Sequence, residues 1–464
     1  MPPEKCAFAL ARYSRSPDSI HQSLEWVRSH DSRKFLESFY FQYGHASIAD
    51  LGHPVLCLEG ISELAATEIE DEPLWDGQAR SSRYQDFARS GFVTPPELEP
   101  GDGNRYRAAG AALLEAYTRT HARVAAHLCE KLPKPESMAE DAYRRNIAAR
   151  AFDVARYLLF LGVPTGVGQV ASIRTLEKQI RRLKASEYQE LREIGGEMAA
   201  ACAAPPACAL EENAPREAVA PTLAKYVDAD AYTPALRQDL ALWARQNLPA
   251  PASLDLPGVD LVRPADTAAD IVATLLYPVT DRPFRELYDL AAAWPAARRN
   301  EVLNLALASR GKRDDLPRQF RGGPYVFDIV MDIGAYRDLH RHRRCHQYRQ
   351  SYTARLGFET PPAVAGAGLA AEYRAAIEQA HAAAAALPAP ASHYLLPFAT
   401  RSRFLFKMDF AEVEYMARIR TGVKGHFSYR QVAWEMKRRV EEQEPDLGRL
   451  LQATPPWVED PLVR

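Results

Sequence analysis

The chain has 464 residues, with 58 Lys and Arg against 60 Asp and Glu. It is long enough for two or more domains, and its near-neutral balance excludes a globally basic nucleic-acid or membrane-surface binder. Apolar residues make up 47% and charged residues 25%, as in an ordinary globular protein, and no run of 18 apolar residues offers a membrane span.

Taken from the N-terminus, "MPPEKCAFALARYSRS" has no apolar leader, and the cysteines at 6, 57, 129, 202, 208 and 345 form no CxxC pair. A soluble cytoplasmic protein with reduced thiols is the expectation. "PVLCLEGI" (54–61) reads as a half-buried strand, and Pro95-Pro96 stops one element and starts the next. The stretches 104–130, 142–161 and 173–200 carry apolar residues at helical spacing. "AAACAAPPACALEENAPREAVAPT" (199–222) has no such periodicity and reads as a linker. Beyond it, "YVFDIVMDIG" (325–334) alternates as a strand does, Pro361-Pro362 repeats the earlier break, and 403–419 returns to helical spacing. Helix predominates over a smaller sheet, the pattern of a mixed α+β class.

The two sides of the linker resemble each other. "SGFVTPP" (90–96) answers "LGFETPP" (356–362), "YRAAGAAL" from Tyr106 answers "YRAAIEQA" from Tyr373, "RYLLFLGVPTG" from Arg156 answers "HYLLPFATRSR" from His393, and "REIGGEM" (192–198) answers "RQVAWEM" (430–436). The starts correspond loosely as well, "FALARYSRSPDSI" (8–20) against "VDLVRPADTAADI" (259–271). The matches keep one order and the later offset is shorter, which predicts an extra helical hairpin near 120–150 in the first copy. Two divergent copies of one domain are expected, 1–200 and 258–464, joined by a linker and connecting segment over 201–257.

The second copy holds "YRDLHRHRRCHQYRQSYTARLGFETPP" (336–362), with Arg337, Arg341, Arg343, Arg344, Arg349 and Arg355 against the two acids Asp338 and Glu359. Helical spacing would set Arg337, Arg341 and Arg344 on one face. Such a face is either a solvated surface or an anion site, since guanidinium groups one turn apart grip phosphate bidentately. His342 and His346 stand at i, i+4 but lack a Glu or Cys partner, so no metal is expected. Cys345 reads as a small buried thiol rather than a nucleophile.

Arg341-His342-Arg343 followed by Ser351 resembles the RHRxxSxxxxSxR signature of the flavin-dependent thymidylate synthases. Other segments are similar to pieces of that family: "YGHASIADLGHPVLCLEGIS" (43–62) to its HxSxxEH and EGxS stretches, "SSRYQDFARSGFVTPP" (81–96) to its SxRY tail, and "RTGVKGHFSYRQVAWEM" (420–436) to its C-terminal "RL…AQWEI". The departures are complementary. In the first copy the RHR positions fall on Asp71-Glu72-Pro73, and Asp50 stands where the family has Glu, while His45, Ser47 and Arg83 remain. In the second copy His346 replaces the first signature serine and Thr353 the final arginine, and no HxS precedes it.

The resemblance implies two tandem flavin-dependent thymidylate synthase-like domains, helix-rich with a small sheet in each. It implies FAD as cofactor, NADPH and methylenetetrahydrofolate as co-substrates, and a pyrimidine nucleotide such as dUMP as substrate for one-carbon transfer to C5. By the same resemblance Arg341, Arg343 and Ser351 take catalytic positions. His45, Ser47, His342, Arg341 and Arg343 would contact the flavin, and Ser81, Arg83 and Arg420 the nucleotide. Family members are homotetramers with sites between subunits, so a homodimer of this tandem chain is expected to imitate one. The alternative reading is a non-catalytic flavin- or nucleic-acid-binding protein that uses Arg337–Arg349 as a phosphate clamp. The near-zero net charge argues against the nucleic-acid form of it.

Overall fold

A computed structural model describes residues 1–30, 36, 46–83, 85–207, 217–250, 258–311, 314, 317–460 and 462, the side chain of Asp446 excepted. The first half runs α1 (Pro3–Tyr13), α2 (Ile20–Ser29), β1 (Val55–Ser62), α3 (Glu63–Glu70), β2 (Asp76–Ala79), α4 (Pro100–Lys131), α5 (Glu140–Ala155), β3 (Pro164–Val170), α6 (Ile173–Lys184) and α7 (Gln189–Ala203). The second half runs α8 (Tyr232–Asn247), β4 (Val259–Val262), α9 (Thr267–Leu276), α10 (Phe284–Ala293), α11 (Ala296–Leu307), β5 (Tyr325–Asp332), α12 (Ile333–Leu339), β6 (His346–Arg349), α13 (Pro362–Gly366), α14 (Ala370–Ala385), β7 (Arg401–Met408), α15 (Phe410–Arg420), α16 (Phe427–Gln443) and α17 (Pro445–Gly448).

The helix-rich α+β expectation holds, and so does the duplication. The order β1, α3, β2, long helix, β3, α6, α7 returns as β5, α12, β6, α14, β7, α15, α16. Sheet order repeats too: β1-β3-β2 in the first sheet, and β5-β7-β6 in the second with β4 added beside β5. Equivalent backbone bonds recur, Glu63 N–H to Val163 O and Leu64 N–H to Leu161 O in one copy, Ile333 N–H to Thr400 O and Gly334 N–H to Phe398 O in the other. Tyr106 OH donates to Val93 O at 2.8 Å, and its counterpart Tyr373 OH donates to Glu359 O at 2.9 Å. The extra hairpin also appears: α4 is 32 residues long and packs on α5, whereas α14 has 16.

Compact packing does not follow the copy boundaries. One unit comprises Met1–Ile61, Ala65–Arg80 and Thr165–Ala231, the other Ser62–Leu64, Ser81–Pro164 and Tyr232–Arg464. The second unit therefore contains α4 and α5 of the first copy together with the whole of the second. Inside it Phe160 forms an antiparallel bridge with Pro397, while Leu161 N–H donates to Leu396 O and Phe398 N–H to Leu159 O. The matching segments of the two copies thus pair with each other, as a local two-fold relation would have them. Gly162 is needed at this crossing, because a Cβ there would lie 2.0 Å from Tyr106 Oη.

The first unit is built on the sheet β1-β3-β2, with β2 and β3 antiparallel. Helix α6 starts at Ser172, whose hydroxyl accepts from Thr175 N–H at 3.2 Å, and buries Ile173, Leu176, Ile180 and Leu183 on one stripe. The second unit has an apolar core in which α8 to α11 cover Val326, Tyr348 and Leu405 of the sheet.

Three expectations change. The segment expected as linker contains α8, whose Leu236, Leu240 and Ala244 enter that core. The helical span 403–419 is the strand β7 up to Met408 and a helix only from Phe410, because "RFLFKM" is an apolar run that periodicity cannot distinguish from a buried strand. The span 173–200 is broken between Lys184 and Gln189 into two helices.

Candidate functional site

The arginine-rich stretch is not one helical face. Helix α12 ends at Leu339 with His340 as its cap, residues 341–345 form a turn, and β6 follows, antiparallel to β7. Arg337 points inward from the helix, its guanidinium 2.5 Å from Glu63, 3.2 Å from Ser82 Oγ and over the Phe398 ring. Arg341 and Arg344 lie exposed on the turn. Neither has a hydrogen-bond or ion-pair partner among the described residues. His342 and His346 are likewise not on a shared helix, the first being in the turn and the second on β6.

Around this turn, within the second unit, the two copies interleave their charges. Arg83, from the first copy, forms a two-pronged pair with Asp153 (2.7 and 3.2 Å) and donates to Lys424 O at 3.1 Å. Its Nη1 is 3.5 Å from Tyr429 Oη. Arg156, only 1% exposed, donates to Asp338 at 3.0 Å and to Gly334 O at 3.2 Å. Burial alone would raise the Asp338 carboxyl, but the charges of Arg156, Arg341 and Arg83 overcome it and hold that carboxyl well below the usual range. His426 is buried beside them and pushed down to about 3, by burial first and then by Arg156. It is therefore neutral, donating through Nε2 to Asp153 O (2.9 Å) and accepting from Ser428 N–H (3.3 Å) through Nδ1.

Arg420 closes the arrangement from the last turn of α15. Its Nε donates to His342 Nε2 at 2.7 Å, and its guanidinium lies 5.7 Å from the centre of the Tyr429 ring. His342 is buried, with Nδ1 2.6 Å from Glu412 Oε1. Burial lowers its pKa, and acceptance of the Arg420 Nε–H at Nε2 leaves the ring proton on Nδ1, facing Glu412. The arginine–carboxylate pairs of Arg83, Arg156 and Arg337 are locally neutral, which leaves the guanidinium groups of Arg341 and Arg344 without a hydrogen-bond or ion-pair partner among the described residues. That is the chemistry of a seat for a phosphate or diphosphate.

Of the expected site residues, the structure brings Arg83 and Arg420 together against Tyr429, with Arg341 close enough to bias Asp338. Ser81 accepts from Arg83 N–H at 3.3 Å, whereas its neighbour Ser82 meets Arg337. His342 has both ring nitrogens engaged inside the protein. Arg343 is half-buried, and Ser351 is exposed with its hydroxyl accepting from Arg237 at 3.2 Å. Ser47 is an exposed residue of the first unit, on a short 3-10 turn Ala46–Leu51. His45 lies outside the described residues. In the first copy Glu72, at the position of the motif histidine, pairs with Arg182 at 2.8 Å. Asp153, Glu412 and Tyr429 were missed by sequence reasoning, since single residues far apart in the chain have no spacing to betray them.

A sequence model of the family described as thymidylate synthase complementing protein matches residues 1–205 and 297–446. A protein of Chlamydia muridarum named UPF0159 is 27% identical over 456 residues, covering 90% of this chain and 82% of its own. An UPF0159 protein of Thermoplasma acidophilum is 22% identical over 486 residues, covering 96% and 94%. Among solved structures, the flavin-dependent thymidylate synthase of Helicobacter pylori complexed with FAD and dUMP is 12% identical. It covers 43% of this chain and 89% of its own, with a TM-score of 0.28. Among the described residues no helix is long and apolar enough to cross a membrane.

Proposed function

The chain belongs to the family described as thymidylate synthase complementing protein, and from that premise we propose that it transfers a one-carbon unit reductively to C5 of dUMP or a related pyrimidine nucleotide. FAD is the cofactor, and methylenetetrahydrofolate and NADPH are the co-substrates. The observation that carries this reading is the convergence of Arg83 from one copy with Arg341 and Arg420 from the other inside a single compact unit. Each copy is an incomplete match to the family motif, and Arg83 of the first copy lies in the same compact unit as the arginine turn of the second.

In the balanced reaction the folate's methylene carbon leaves nitrogen for C5, the C5 hydrogen departs as a proton, and the new carbon is reduced to methyl as tetrahydrofolate is released. When bound, FAD would supply the hydride that this reduction needs, with NADPH as the source of its reducing equivalents. The residues present suit such a group, because Arg341 and Arg344 offer guanidinium groups at the turn that are unpaired among the described residues. In this reading Arg341 and Arg343 hold the flavin diphosphate and polarise the base. Ser351 takes its signature position, and Ser81, Arg83 and Arg420 hold the nucleotide phosphate. Two chains pair to reproduce the family's four-domain assembly.

The test is an absorbance spectrum of the purified protein after incubation with FAD and removal of the excess, followed by an assay for dTMP from dUMP. Retained oxidised-flavin bands and product formation are expected. A protein that stays colourless and makes no product overturns the reading.

A further inference from the structure

Among the described residues Arg420 is held from one side only. Its Nε is bound to His342 Nε2 at 2.7 Å, His342 Nδ1 is bound to Glu412 at 2.6 Å, and Glu412 and His342 are both buried. The two Nη groups of Arg420 have no hydrogen-bond partner among the described residues, although the side chain is half-buried over Tyr429. A guanidinium fixed through Nε and open along its Nη edge presents the planar fork that a phosphate or carboxylate accepts bidentately.

The first copy joins the same two elements differently. There Glu72 takes the position of His342, and both Nε and Nη2 of Arg182, in the last turn of the corresponding helix, donate to its Oε1 at 2.9 and 2.8 Å. A carboxylate neutralises the arginine and occupies part of its fork. The second copy replaces that carboxylate with a neutral imidazole. It moves the negative charge one group back, to Glu412, whose counterpart at the corresponding point of the first helix is Thr175.

We propose that Glu412 and His342 are positioning residues that fix the orientation of Arg420 while leaving its charge and its Nη edge for the phosphate monoester of the nucleotide. This rests on the nucleotide reading above. Glu412 accepts the Nδ1 proton of His342, which forces the Nε2 lone pair toward Arg420. Reversal of that tautomer would set two N–H groups against each other and release the guanidinium.

Two measurements on the full-length protein test this. In the first, dUMP and inorganic phosphate are titrated calorimetrically into FAD-treated wild type, Arg420→Ala, His342→Phe, His342→Gln and Glu412→Gln. Loss of a hydrogen bond to a charged group predicts about a tenfold or greater weakening of dUMP for Arg420→Ala and His342→Phe. His342→Gln places an amide oxygen where Nε2 was and should restore most of the affinity, which a merely space-filling histidine would not require. In the second, long-range ¹H–¹⁵N spectra of histidine-labelled protein, assigned with His342→Gln, should show His342 protonated on Nδ1, with that preference lost or reduced in Glu412→Gln. An Nε2-protonated His342, or His342→Phe binding dUMP like wild type while Arg420→Ala does not, overturns the relay. Absence of any dUMP binding by wild type overturns the nucleotide reading instead, and the tautomer still decides the relay.

Discussion

Arg156 and Asp338 are 182 residues apart in sequence, one in each copy, yet Arg156 Nη2 lies 3.0 Å from Asp338 Oδ2. The guanidinium is fully buried, so removal of its partner leaves a charge that water cannot reach. Asp338→Asn should cost about 3–5 kcal/mol of stability in urea unfolding. The double variant Arg156→Met, Asp338→Leu should recover much of it, because hydrophobic replacements of similar volume need no desolvation. Asp338 is held below its ordinary value, so the stability it contributes is present above the unfolded carboxylate pKa of about 3.9. It is lost as pH falls through the still lower folded value. A single variant as stable as wild type at neutral pH would contradict the buried pairing.

Arg341 and Arg83 should separate binding from stability. Arg341 is exposed and unpaired among the described residues, and substitutions of that kind usually shift stability by less than about 0.5 kcal/mol. Arg341→Ala is therefore expected to keep its thermal midpoint while it loses retained flavin. Arg83 is bound to Asp153, to Lys424 O and beside Tyr429, so Arg83→Ala should lower both the midpoint and dUMP affinity. Thermal scans paired with absorbance of the desalted protein read both outcomes. Equal destabilisation by the two variants would mean that the turn is structural rather than a ligand seat.

Thiol reactivity should follow burial. Cys57 and Cys129 are exposed, whereas Cys202 and Cys345 are buried. Burial pushes the Cys202 thiol up to about 11 and the Cys345 thiol well above its ordinary value. Since the thiolate is the reactive form, iodoacetamide under native conditions should label Cys57 and Cys129 and reach Cys202 and Cys345 only after unfolding. Peptide mass spectrometry reads the order. Rapid labelling of Cys345 would reopen its reading as a nucleophile.

What could be read in the sequence was whatever a fixed spacing carries. Tyr106 and Tyr373 stood out because each copy uses the same tyrosine to hold the same loop, and both occur in matching strings. Arg83 and Arg420 followed from motif positions. The arginine turn was misread because Arg337, Arg341 and Arg344 happen to recur at helical intervals. Pairing of 346–349 with β7 captures the backbone instead, and tertiary hydrogen bonding overrides a local pattern. Asp153 and Glu412 were illegible for a different reason. Each matters through a contact made across 70 residues, and no local rule links such positions.

Asp332 should give the stability profile a slope of its own. Its carboxylate caps α12 through Ala335 N–H at 2.7 Å and accepts from Tyr157 OH at 3.0 Å and from the Ser428 hydroxyl. Burial pushes its pKa up to about 6, against the hydrogen bonds from Ser428 and Ala335 that favour the ionised form. With an unfolded value near about 3.9, the folded state holds the extra proton between the two pKa values. That contribution is complete below about pH 4 and is lost as pH rises through about 6, a change on the order of 2–3 kcal/mol. Asp332→Asn cannot titrate and so lacks this slope, although it also loses an acceptor and is less stable throughout. The stability gap between wild type and Asp332→Asn, from urea unfolding at several pH values, should therefore be wider near pH 4.5 than near pH 7.5. A gap that stays constant across that range would mean that Asp332 is ionised at both ends and that its three donors, rather than its burial, set its charge.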